Sequence, residues 1–320
     1  MIARRDLLGM LAGFAVAVPA GALAATLKPL SMSYQQSSVL LQVLRARGLL
    51  RDRLAPLGFV PDWALLGTAV SQFGATTFLS DVAEAVPPFL HSSLPRFILI
   101  AAEGPSPHAV GILVRDPGGI ADASHLKGRR VAVGKGGSAL DLLLRTLESH
   151  ALTLNDIQPV YLPESGSAAA FRSGYVDAWA TYDPFLSSGE GQPGARLLVD
   201  GAGQGMSYDR YYMVDQAFAA SNPAVIEAYY ASLQDAAHWI NANPAPATAL
   251  LSSLWQDMPL DEVRRIDSHR TYAVRPIGAS DLARLDDIGA RLQRAGILPP
   301  GAGAHGIGVW LPDGGKISTG

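Results

Sequence analysis

The chain has 320 residues, no cysteine, 17% charged and 48% hydrophobic residues, and a formal net charge of −3. This length holds one large domain or two of about 150 residues, and it buries a core without disulfide or metal staples. The missing cysteines exclude thiol nucleophiles, cysteine-ligated zinc, iron–sulfur clusters and disulfides, and 25 Lys and Arg against 28 Asp and Glu leave no basic excess for a nucleic-acid partner.

Met1-Ile2-Ala3-Arg4-Arg5-Asp6 is a short positive start, and Leu7 to Val18 is apolar for 12 residues, short of the ~20 that span a bilayer. Ala22-Leu23-Ala24 is an A-x-A cleavage signature, so residues 1–24 read as a secretory signal. Arg4-Arg5 suits a twin-arginine signal and an ordinary Sec signal equally. Cleavage after Ala24 removes a net +1 and takes the charge from −3 to −4. No later stretch is long and apolar enough to span, so the expected product is exported and soluble.

Beyond residue 25, strand-type runs alternate with helical periodicity. Leu30–Tyr34 reads as a strand, Val39–Leu54 as one helix, Val60–Leu66 as a strand, Ala69–Leu79 as a helical run and Val82–Ala85 as a brief strand. Phe97–Ala102 and Val110–Val114 are apolar enough for buried strands. Asp122–Leu126 is a helical turn. Then come strand Val131–Val133, helix Leu140–His150, strand Pro159–Leu162, helix Ser167–Ser173 and strands Val176–Thr181, Arg196–Val199 and Tyr211–Val214. Four helices follow, Pro223–Ala242, Pro246–Leu254, Leu260–Asp267 and Ser280–Ala295, and the Gly- and Pro-rich last twenty-five residues read as a loose tail. Repeated β-α-β units predict an α/β chain of two lobes, each a mainly parallel sheet flanked by helices. Residues 25–113 with 212–320 form one expected lobe and residues 114–211 the other, with a ligand cleft between them.

Ligands of such sheets bind beyond the carboxyl ends of strands. The most informative junction is Val133-Gly134-Lys135-Gly136-Gly137-Ser138, where glycines let the backbone approach a ligand and Ser138 opens a helix whose free N–H groups attract anions. Tyr34-Gln35-Gln36-Ser37-Ser38 offers neutral donors after the first strand. In both places the plainer reading is a helix cap. Trp179, Tyr182 and Phe185 could wall an organic tail, with at least one of them ordinary core, and Asp183 before Pro184 reads as a helix cap. Arg210 could pair with an anion through two N–H groups, although a surface arginine is the commoner outcome. The seven histidines show no i,i+4 pair, and nothing assembles a nucleophile, base and orienter. No catalytic residue, metal or cofactor is expected.

Several stretches resemble the periplasmic aliphatic-sulfonate-binding proteins of ABC importers, within the taurine/nitrate/thiamine-precursor-binding group. They are Tyr34-Gln35-Gln36, Pro107-His108, Leu126-Lys127-Gly128-Arg129-Arg130-Val131-Ala132, Gly134-Lys135-Gly136, Asp156-Ile157-Gln158-Pro159-Val160-Tyr161-Leu162-Pro163, and Val176-Asp177-Ala178-Trp179 with Asp183-Pro184-Phe185. The resemblance implies the two-lobed type II periplasmic binding fold. It implies capture of an organosulfonate anion by a monomer and delivery to an inner-membrane permease and ATPase, for sulfur acquisition. Carried over, Gln35, Ser37 and Ser38 would line the first lobe, Gly136, Gly137 and Ser138 would face the sulfonate, and Trp179 and Asp183 would line the second lobe. Where the family has Gly-Glu-Thr-Pro-Pro, this chain has Ala83-Glu84-Ala85-Val86-Pro87-Pro88, so Glu84 fits and the Gly and Thr do not. Arg210 stands where the family more often has a neutral polar residue. Taurine, nitrate or a thiamine-type pyrimidine are the alternative ligands. Taurine would need Glu84 or Asp183 for its ammonium. A secreted enzyme on the same scaffold is the alternative of a different class.

Overall fold

The structure, a computed structural model, describes residues 27–65, 79–312 and 316–319. The export signal and nearly all of the helical run expected at Ala69–Leu79 lie outside these residues; Leu79 itself opens a strand.

The chain starts with β1 (Lys28–Tyr34), α1 (Val39–Arg47), α2 (Leu49–Leu54), β2 (Phe59–Leu65), β3 (Leu79–Ala83), α3 (Pro87–Ser93) and β4 (Phe97–Glu103). It crosses to β5 (Val110–Arg115), β6 (Arg130–Val133), α4 (Ser138–Glu148), β7 (Gln158–Tyr161), α5 (Glu164–Ser173), β8 (Ala178–Tyr182), α6 (Phe185–Glu190) and β9 (Ala195–Asp200). It returns through β10 (Arg210–Asp215) to α7 (Gln216–Ser221), α8 (Pro223–Ala242), α9 (Pro244–Leu254), α10 (Leu260–Ser268), β11 (Val274–Arg275), α11 (Ala279–Arg294), β12 (Gly308–Leu311) and β13 (Lys316–Thr319).

Two sheets result. The first runs β13-β12-β4-β10-β3-β1-β2, with β11 also on β4, and the second runs β7-β6-β8-β5-β9. Each mixes directions, where mainly parallel sheets were expected. β1 pairs in parallel with β2 and β3, as β6 does with β7 and β8, but β10 is antiparallel to β3 and β4, and β5 to β8 and β9. β10 and β5 are the strands that carry the chain between lobes, and they enter their sheets against the grain. The crossovers are residues 104–109 and 201–209, so the expected boundaries at 113 and 211 fall inside strands that belong wholly to one sheet. The crossovers run side by side, with Ser106 N–H on Ser207 O at 2.9 Å and Gly201 N–H on Val110 O at 3.0 Å.

Apolar clusters cover both faces of each sheet. All seven residues of β4, Phe-Ile-Leu-Ile-Ala-Ala-Glu, are buried, as a near-continuous apolar run demands. The helix expected over Val39–Leu54 breaks at Gly48 into α1 and α2. The consecutive prolines Pro87 and Pro88 open α3 rather than interrupting it, because the first turn needs no N–H donors there. The expected loose tail instead adds two strands, β12 and β13, to the first sheet. β12 lies parallel to β4 with Val309 opposite Leu99, and Trp310 packs on Tyr230 with ring centroids 5.5 Å apart. Gly and Pro composition conceals the apolar seat that Ile307, Val309 and Trp310 find.

The late helices serve both lobes. α8 packs on α1 and α2, while α10 reaches α6 and α11 reaches both α3 and α4. Ile288 and Leu292 of α11 share a core cluster with Leu140 and Leu143 of α4. Arg291 bridges to Asp141 at 3.0 Å and Glu148 at 3.2 Å. Among the described residues, no helix is long and apolar enough to cross a membrane.

Candidate functional site

A cleft of about 320 Å³ opens between the two sheets at the carboxyl ends of their parallel strands. One wall carries Gln35 and Ser37 after β1, Ala83 and Val86 around the end of β3, Tyr208 from the second crossover and Arg210 at the start of β10. The opposite wall carries the loop from Gly134 to Ala139, the segment Tyr161–Glu164, and Tyr182 at the end of β8.

The glycine loop sets the floor. Gly136 and Gly137 have φ of +108° and +85°, which side chains rarely adopt, and a Cβ on Gly137 would meet only open space. N–H groups of Leu140 and Asp141 turn back onto Gly137 O at 3.2 and 3.3 Å. Those of Ser138 and Ala139, in the first turn, have no acceptor within the helix and stand at its positive pole. Ser138 Oγ accepts from Ala85 N–H at 3.4 Å across the cleft, which leaves its own proton free to donate.

Arg210 is buried with Asp81. Its Nε and Nη2 lie 2.7 and 2.6 Å from Asp81 Oδ2, and Nη1 donates to Ser37 Oγ at 3.1 Å. Burial works against its charge, but Asp81, then Tyr208 and Glu103, hold it above the ordinary arginine value. Arg210 is thus spent on an internal pair that fixes Ser37, whose proton remains available to a ligand. Ser38 stands one layer behind. Its hydroxyl donates to Asp81 Oδ1 and accepts from Gln35 N–H at 2.8 Å.

Glu84, Trp179 and Asp183 do not line the cleft; each is buried behind it. Glu84 accepts from the N–H groups of Tyr208 at 3.0 Å and Asp209 at 3.4 Å, which clamps the second crossover. Burial, with Asp141 and Asp209 nearby, pushes its carboxyl up to about 8, against the pull of those two N–H groups. Trp179 is fully buried against Phe171, at 6.0 Å between ring centroids. Tyr182, of opposite parity on β8, is the aromatic that faces the ligand space, since strand side chains alternate. Asp183 Oδ1 caps α6, accepting from Ser187 N–H at 3.0 Å and Oγ at 2.7 Å, and Oδ2 holds His269 Nδ1 at 2.8 Å.

Two cleft residues carried no signal in the sequence. Tyr208 sits at φ +51°, a strained region for a bulky residue, and its hydroxyl is buried with no partner. Glu164 opens α5 and is 4% exposed, and its Oε2 accepts from Thr181 Oγ1 at 2.8 Å and Trp179 Nε1 at 3.3 Å. Burial raises its carboxyl to about 7, opposed by those two donors. A Glu after a Leu-Pro pair reads only as a first-turn acid. Among the described residues no cluster of three or more His, Asp or Glu could hold a metal ion.

The arrangement is a donor-lined pit with neutral donors, one compensated arginine and a separate acid. Residues 102–247 match the model of the NMT1/THI5-like family. The chain is 32% identical over 202 residues to a putative aliphatic sulfonates-binding protein of Escherichia coli K12, an alignment covering 63% of each chain. The periplasmic aliphatic sulphonate binding protein SsuA from E. coli superposes with a TM-score of 0.78 at 26% identity, over 87% of this chain and 95% of that one. The alkanesulfonate-binding protein SsuA from Xanthomonas axonopodis pv. citri, bound to MOPS, gives 0.78 at 26% identity, over 85% and 94%. The fold is therefore the two-lobed type II periplasmic binding fold.

Proposed function

We propose that this chain is an exported, extracytoplasmic substrate-binding protein. It captures aliphatic sulfonates and hands them to the permease and ATPase of an ABC importer, for sulfur acquisition. It acts as a monomeric binder and not as an enzyme. The observation that carries the reading is the buried, unpartnered Tyr208 hydroxyl, which lines the same cleft as the open first turn of α4. A buried donor without an acceptor is costly, and an anion that supplies the acceptor removes that cost.

A sulfonate suits this set. It is ionised throughout the physiological range and needs donors only, which Ser37, Gly137, Ser138, Ala139 and Tyr208 supply. Each hydrogen bond to a charged group contributes ~1.5–3 kcal/mol, so several offset the desolvation of the anion. Gln35 and the Asp81-paired Arg210 complete the first-lobe side, and Tyr182 walls the tail. Ser38, Glu84, Trp179 and Asp183 support these groups from behind. Closure about the paired crossovers excludes water around the anion.

The test is calorimetric titration of the purified protein with C2 to C6 alkanesulfonates, in buffer free of sulfonate. Saturable binding is expected, with Tyr208→Phe weakening it by about tenfold or more, as loss of one bond to a charged group requires. No binding to any sulfonate up to millimolar concentration would overturn the assignment.

A further inference from the structure

The cleft contains an acid that a simple alkanesulfonate does not use. Glu164 Oε2 is fully occupied by Thr181 and Trp179. Oε1 lies 3.8 Å from where a Cβ on Gly134 would stand, beside the glycine loop, and Glu164 lines the cavity. Among the described residues no Lys, Arg or His lies within ion-pair distance of Glu164, whereas behind the cleft Asp81 has Arg210, Asp183 has His269 and Glu84 has a pair of N–H donors. Both Oε2 donors favour the ionised carboxylate over the neutral acid. A buried negative charge with one oxygen left open toward a ligand cavity calls for a cation from the ligand.

We propose that Glu164 selects sulfonates whose tail bears a protonated nitrogen, the carboxylate receiving the ammonium while the donors around Gly137, Ser37 and Tyr208 hold the sulfonate. This rests on the sulfonate reading above and narrows it to aminoalkanesulfonates. The acids that could have served an ammonium by sequence, Glu84 and Asp183, are both turned away from the cavity and occupied. The other titratable groups lining the cavity are Lys135, Tyr161, Tyr182, Tyr208 and Arg210. Arg210 is compensated by Asp81, and Lys135 is exposed at the rim, so neither neutralises Glu164.

The isosteric probes 3-aminopropanesulfonate and butanesulfonate differ only in –NH₃⁺ against –CH₃. At about pH 8, where Glu164 is ionised, the amino compound is expected to bind the wild-type protein at least tenfold more tightly. In Glu164→Gln, which keeps an acceptor for Thr181 and Trp179, that preference disappears and butanesulfonate affinity stays equal or improves. Proton linkage supplies an independent readout on the wild type. Near neutral pH, 3-aminopropanesulfonate should release protons on binding, and butanesulfonate should take them up. Equal affinities in the wild type, or an unchanged ratio in Glu164→Gln, would overturn the role of Glu164 while leaving the sulfonate reading intact. Failure of both probes to bind would overturn the sulfonate reading itself.

Discussion

Arg210 and Asp81 form an ion pair buried on both sides, and its energetics differ from those of a surface pair. Removing one partner strands the other charge in a dry interior, which costs about 3–5 kcal/mol. Arg210→Met should therefore lower unfolding stability by about that amount in urea, and Asp81→Asn with Arg210→Met should recover most of it. Equal destabilisation by the single and double variants would show that Arg210 acts through packing instead. That Arg210 would be taken by Asp81 was not legible in the sequence, because the partner lies 129 residues away and no local pattern announces it. Trp179 illustrates the opposite problem. Strand parity places it with Thr181 on the face that Glu164 covers, but parity alone does not say which face of a sandwiched strand meets the ligand. Tyr208 could not be found at all, since a left-handed backbone is announced by glycine or asparagine and here is imposed by the Glu84 clamp on the crossover.

At the scale of elements, the loop before α4 is the part the sequence displayed best. Gly, Lys and Ser between an apolar strand and an amphipathic helix leave little choice but a tight turn into an open N-terminus. Gly137 lies at φ +85° and ψ 179°, a region essentially reserved for glycine, and holding another residue there costs about 1–3 kcal/mol. Because its Cβ would clash with nothing, Gly137→Ala isolates that backbone term. Stability should fall by about 1–3 kcal/mol in urea, and sulfonate affinity should fall alongside it as the N–H groups tilt away. Unchanged affinity in a destabilised variant would mean that the loop does not hold the anion. Helix α8 was readable end to end, from Pro223 in its first turn to its alternation of buried and exposed positions. β12 was not, because its strand identity comes from β4 and not from its own Gly-rich surroundings.

For the molecule as a whole, three groups share a proton balance. Burial raises Glu84 to about 8 and Glu164 to about 7. His269, despite burial that opposes its charge, is raised by Asp183. Each holds its proton in the folded state where the unfolded chain has released it, so unfolding releases protons and stability falls as pH rises from about 4.5 to about 8. The denaturation midpoint should decline across that interval, and Glu84→Gln should flatten the decline; a midpoint that climbs over the same range would contradict the assignment of these protons. The two-lobed plan and the ties of the late helices to the first lobe were legible from the order of strands and helices. The attachment of α10 and α11 to the second lobe was not, since it depends on ion pairs such as Arg291 with Asp141, 150 residues apart. The second sheet is made from one unbroken stretch of chain, whereas β4 meets β10 only after more than a hundred further residues. Contacts so distant in sequence form only after a costly loop is closed. A chain delivered in order therefore completes the second lobe while β3 and β4 still wait with open edges for β10 to slot between them. The first lobe, and with it the cleft, is the last thing this polypeptide makes.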